Sequence, residues 1–155
     1  MLTLKQAEPI LNLRPCPPFV PLMGQRCGHS QHSVEILENQ LPDSSDVAQL
    51  VVEVASEKLA SDIVMLDLRG LAPFTDYFVI MSADSTRLIE ALEEDLKTAM
   101  KENGLSMHRR EGTAGSGWVL MDFSDVIVHI FGPEERDFFG LERLWARAPQ
   151  VVRIL

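Results

Sequence analysis

The run Trp118-Val119-Leu120-Met121-Asp122-Phe123-Ser124-Asp125-Val126-Ile127-Val128-His129-Ile130-Phe131 decides the fold. It holds two strand-length apolar segments joined by Ser124-Asp125, a hairpin candidate, although Ser-Asp is a weaker turn pair than Asn-Gly. A two-residue loop pairs Phe123 with Val126, Asp122 with Ile127, Leu120 with His129 and Trp118 with Phe131. Because side chains alternate across a strand, this register separates two faces. One carries Val119, Met121, Phe123, Val126, Val128 and Ile130, is wholly apolar, and is expected to lie under helices. The other carries Trp118, Leu120, Asp122, Ile127, His129 and Phe131. Large aromatic rings beside an Asp and a His are unusual for a core and for a solvated surface, and such mixtures mark protein interfaces. The competing expectation is that Trp118 and Phe131 are covered by the N-terminal stretch or by the last helix.

Upstream, Asp43, Ser44 and Ser45 offer capping oxygens to a helix with Val47, Leu50, Val51, Val54, Ala55 and Leu59 on one face. Ile63–Leu68 and Tyr77–Met81 read as strands, linked through Gly70 and Pro73. A second amphipathic helix spans about Ser85 to Asn103, with Gly104 suited to the C′ position. A short strand near Leu105–Arg110 and a glycine-containing loop lead into the hairpin. Pro133 then opens a last helix with Glu134 and Glu135 in its first turn and Phe138, Leu141, Leu144 and Trp145 as its stripe. The order α-β-β-α-β-β-β-α predicts an α/β (α+β) fold, a mixed β-sheet of about five strands with helices packed on it. Residues 1–42, with six prolines and no periodicity, read as an irregular or disordered N-terminal extension, and 43–155 as the folded domain.

Composition narrows the function. All nine excess negative charges of the 155-residue chain fall in 41–155. An acidic domain repels a phosphate backbone and attracts a basic protein, so no direct nucleic-acid groove is expected; the plainer reading is that acidity serves solubility. The acidic surplus is expected to form a patch on the hairpin's mixed face and the last helix. No apolar run nears the roughly 20 residues that span a bilayer. Both cysteines, Cys16 and Cys27, precede the domain, and no secretory signal is evident, which ranks a cytoplasmic location first.

Enzymatic readings fare poorly. Gly115-Ser116 and Asp122 superficially suggest a nucleotidyltransferase site, but Asp122 and Asp125 are separated by the turn instead of spaced two apart on a strand, and Gly115-Ser116 precedes a strand. No Gly-x-Ser-x-Gly elbow or domain cysteine accompanies His129. Cys27, His29 and His32, with Cys16 upstream, have zinc-type ligands at a spacing that matches no common finger. No cofactor is expected. A generic dimeric interaction scaffold is the remaining alternative.

The run Thr75-Asp76-Tyr77-Phe78-Val79-Ile80, then Ser85-Thr86-Arg87, Glu111-Gly112, Trp118, the hairpin from Asp122 to Phe131, Pro133-Glu134-Glu135-Arg136 and Leu141-Glu142-Arg143-Leu144-Trp145, resembles the ribosomal silencing factor, or Iojap-like, family. The likeness spans about 45–148. Where the family usually has Gly, Ala83 and Ser124 stand here, so the first turn is expected to avoid a positive φ and the hairpin turn to differ in geometry. The resemblance implies a nucleotidyltransferase-like fold without that chemistry, often seen as a homodimer. It implies binding to the large ribosomal subunit through its basic protein number fourteen, which blocks subunit joining and represses translation when nutrients are scarce. By matching position, the partner-binding residues it implies are Asp76, Tyr77, Trp118, Asp122, His129, Glu134, Arg136 and Glu142.

Overall fold

The computed structural model describes residues 42–155; the expectations for 1–41, including the Cys16, Cys27, His29 and His32 cluster, lie outside the described residues. Helix α1 (Ser44–Glu57) starts at Asp43, whose Oδ1 accepts the Ser44 amide hydrogen, and buries Val47, Ala48, Val51, Val52 and Ala55. Strand β1 (Ser61–Asp67) follows, then β2 (Tyr77–Ser82), whose six residues are all buried as befits a central strand. Helix α2 (Thr86–Glu102) is capped by Ser85 Oγ, buries Ile89, Leu92, Leu96 and Met100, and ends before Gly104 at φ +75°. Ala83 has an ordinary negative φ, as expected.

Strand β3 (Arg109–Thr113) and a 3₁₀ turn over Ala114–Ser116 precede the hairpin strands β4 (Trp118–Asp122) and β5 (Val126–Phe131). The expected register holds, with Trp118 opposite Phe131, Leu120 opposite His129 and Asp122 opposite Ile127. Strand β3 lies a few residues beyond its expected place. Its limits are set by pairing with β4, which runs from Arg109 opposite Asp122 to Thr113 opposite Trp118. Two short helices, α3 (Pro133–Phe139) and α4 (Leu141–Leu144), replace the single expected last helix, because Gly140 at φ +51° breaks it. A sixth strand, β6 (Gln150–Ile154), extends the predicted mixed sheet to the order β3-β4-β5-β2-β1-β6, in which only β2 and β5 run parallel.

Helices α1 and α2 cover one face of this sheet. Val119, Met121, Phe123, Val126, Val128 and Ile130 join Ile63, Met65, Val79 and Met81 in the main core there, so the apolar hairpin face is buried as predicted. The second face holds a smaller cluster of Val64, Leu66, Leu68, Phe78, Ile80 and Phe131.

The hairpin turn keeps a glycine-like backbone without glycine. Ser124 sits at φ +74°, a conformation that is unfavourable for L residues by roughly 1–2 kcal/mol. Asp122 Oδ1 accepts the Ser124 amide hydrogen at 2.8 Å and partly offsets that strain. Ser124→Gly is therefore expected to raise stability by about 0.5–1 kcal/mol, the relief being reduced by glycine's larger unfolded-state entropy, and urea denaturation midpoints check it.

Candidate functional site

The hairpin's mixed face is a ladder of rings. Trp118, His129 and Phe131 lie within 10° of parallel, with centroids 5.7–6.3 Å apart, and the edge of Phe78 meets His129 at 5.0 Å. Phe131 and His129 are buried while Trp118 is half-buried, so the expected cover over this face is partial. The Trp118 indole Nε1–H donates to His129 Nδ1 at 3.3 Å. Indole is donor-only, so Nδ1 must be the acceptor and the imidazole proton resides on Nε2. Nε2 has no partner among the described residues. Burial among rings pushes the imidazole pKa down to about 4, so His129 is neutral at physiological pH.

Helices α3 and α4 and the loop before β2 cover this ladder incompletely. Phe139 leans on Trp118 at 5.2 Å and on Phe131 at 5.6 Å, while Trp145 meets Phe78 at 5.7 Å and Phe74 at 6.2 Å. Beyond them, Phe138 is 82% exposed, Leu144 73% and Phe74 55%. A chain of ring contacts thus runs from the buried ladder to solvent and presents an aromatic surface of the kind that partners cover. Phe138-Phe139-Gly140 carried a signal for it: adjacent residues on a helix point about 100° apart, so two consecutive Phe cannot both face the sheet.

The other residues nominated from sequence are dispersed. Asp122 borders the aromatic face but is engaged with its own turn. Glu134 is exposed in the first turn of α3. Asp76 accepts a hydrogen bond from Ser44 Oγ at 2.8 Å, tying β2 to the start of α1. Tyr77 is buried with the helix-side core, and Arg69 lies 5.1 Å above its ring. Arg69 also pairs with Asp67, and its hydrogen bonds hold that carboxyl below the usual carboxylate range. Arg136 is buried and spends its donors internally, chiefly on Glu142.

Charge is gathered only in part where the sequence reading put it: residues 118–145 hold six carboxylates against two cations, and the two long helices hold a further surplus. Between Asp43 and Lys58 and between Asp84 and Glu102 there are ten carboxylates against four cations, so helices α1 and α2 and their ends hold six of the nine excess negative charges. These helices cover the opposite face of the sheet from the aromatic surface. The reason is ordinary amphipathicity: a helix that buries one stripe must solvate the other.

A cleft of about 390 Å³ between the starts of α2 and α3 includes Gly115 of the Gly115-Ser116 pair. Among the described residues its charged lining is Asp84, Glu134 and Glu135, with no Lys or Arg to meet a phosphate directly. Among the described residues no helix is long and apolar enough to cross a membrane, and no group of three His, Cys, Asp or Glu side chains is arranged to hold a metal ion.

The family model described as "Ribosomal silencing factor during starvation" matches residues 41–154. The ribosomal silencing factor of Halalkalibacterium halodurans is 35% identical over 108 residues, covering 70% of this chain and 92% of that protein. That of Bacillus subtilis is 34% identical over 107 residues, covering 69% and 91% respectively. A crystal structure of a protein from Chromobacterium violaceum superposes with a TM-score of 0.65 at 30% identity, covering 68% of this chain and 88% of that one.

Proposed function

This chain belongs to the ribosomal silencing factor family, and from that premise we propose that it binds the large ribosomal subunit through the subunit's basic protein number fourteen and sterically blocks subunit joining. Translation is thereby repressed under nutrient limitation. The observation that carries the reading is the aromatic surface over the hairpin's mixed face, whose exposed Phe138, Leu144 and Phe74 surround rings anchored in the sheet. Rigid aromatic anchors backed by a packed ladder lose little entropy on docking.

Contact is assigned to Trp118 and the exposed rings, with Asp122 and Glu134 at the rim to meet cationic side chains. His129, Arg136 and Glu142 serve the surface from within, while Asp76 and Tyr77 are engaged on the helix side of the sheet and make no part of it. The protein acts in the cytoplasm, by occupancy and not by catalysis, and as a homodimer.

The test is sedimentation through sucrose gradients. The protein is expected to travel with free large subunits and to be depleted from joined ribosomes. Phe138→Asp combined with Leu144→Asp is expected to weaken large-subunit binding by about tenfold or more while leaving the melting temperature nearly unchanged, because both side chains face solvent. Undiminished binding by this variant would exclude the aromatic surface as the contact.

A further inference from the structure

We infer that Arg136 is the positioning residue of the aromatic surface, the latch that holds α3 and α4 in the pose their rings need. The inference rests on the reading just given, since it concerns how that surface is presented. Helices of seven and four residues are too short to persist without tertiary support. Yet α4 has no buried residue, and the single buried residue of α3 is Arg136 itself. Phe139, Leu141 and Trp145 pack only partly against the sheet, so the apolar anchor is incomplete.

The Arg136 guanidinium reaches four groups. Nη1 donates to the Asp62 carbonyl at 2.6 Å and to Ser82 Oγ at 2.9 Å; Nε and Nη2 donate to Glu142 Oε1 at 3.0 and 2.6 Å. Nη2 also lies 3.3 Å from the Asp62 carboxylate, which Arg153 of β6 approaches at 3.0 Å. One side chain thus joins the start of β1, the end of β2 and the first turn of α4. Asp62 stands at φ +43°, where the β1–β2 register shifts between Ser61 and Val64, and that irregular backbone places its carbonyl on the guanidinium. A buried cation is tolerated only when its donors are satisfied, and a planar fork satisfies several acceptors at once where an ammonium meets them as a point charge.

Arg136→Lys tests this because it keeps the charge and removes the fork. In the free protein, native-state hydrogen exchange is expected to accelerate roughly tenfold across 133–145 while β2 and β5 keep their protection, and large-subunit binding is expected to fall about tenfold. Glu142→Gln, which keeps an acceptor, should give an intermediate result and replaces the first variant if that one does not fold. Unchanged exchange over 133–145 overturns the inference, and so does an equal loss of protection throughout the sheet, which would make Arg136 a general stabiliser. Faster exchange with wild-type binding also overturns it, provided Phe138→Ala binds weakly in the same assay. Wild-type binding by Phe138→Ala would instead remove the functional reading and the inference with it.

Discussion

Gly112→Ala is expected to lower the unfolding free energy by about 3 kcal/mol, from backbone strain of roughly 1–2 kcal/mol together with overpacking of similar size. Gly112 sits at φ +78° in β3, opposite Val119 of β4. A Cβ there falls well inside contact distance of the Trp118 carbonyl oxygen and lies 3.1 Å from its carbonyl carbon. Both are backbone atoms, so no flexible side chain can yield; the strand must move. Arg110 adds to the difficulty, since it bonds the Gly112 carbonyl at 2.7 Å while paired through two contacts to Glu93 of α2. Because the displaced residue is Trp118, the same substitution should also weaken large-subunit binding. Urea denaturation measures the first effect and gradient sedimentation the second; a loss below about 1 kcal/mol would mean that the bend at Gly112 relaxes without strain.

The second large effect is a dependence on pH that resides in one side chain. His129 has its pKa lowered from 6.5 to about 4 by burial, so the fold favours the neutral imidazole. Between these values the unfolded chain binds a proton that the folded chain refuses. The stability contributed by neutral His129 is complete above pH 6.5 and declines as pH falls, levelling below about pH 4. A shift of this size corresponds to about 3 kcal/mol across the window. The rings around it, Phe78, Trp118 and Phe131, carry no titratable group that could compensate. In His129→Phe this contribution to the slope should vanish, and the difference between the two pH–stability curves isolates it from the carboxylates. Parallel curves for the two proteins would sink the assignment.

Much of the fold was legible because periodicity reports burial directly. The hairpin register followed from alternation alone, since slipping Trp118–Phe131 by one residue would expose six apolar side chains. Both long helices announced themselves through caps and stripes at Asp43, Ser85 and Gly104. What escaped was set by tertiary context. Gln150–Ile154 is a short edge strand whose identity depends on β1 being available to pair with it. The break at Gly140 depended on a backbone torsion, and a helix without that break puts Phe138 and Leu144 on one stripe with Leu141.

The site was legible as a face but less so as a set of residues. Trp118 and His129 were identified together because they share one side of the hairpin, and they do touch. Arg136 and Glu142 were nominated by likeness of sequence, which cannot distinguish a residue kept for outward contact from one kept for the bonds it makes inward. Only the coordinates of Asp62 and Ser82, 74 and 54 residues away in sequence, reveal how Arg136 is used.

Within residues 42–155, the larger carboxylate surplus on α1 and α2 sets a charge gradient across the sheet toward the aromatic face. In the proposed encounter with the ribosome, the torque from that gradient would turn α1 and α2 away from the RNA and bring the rings forward. This alignment acts within about a Debye length of 8 Å at physiological salt, and so belongs to the last moments of approach. Its sign is fixed by which layer carries the larger carboxylate surplus, a choice made by two amphipathic stripes on the far side of the sheet from the rings.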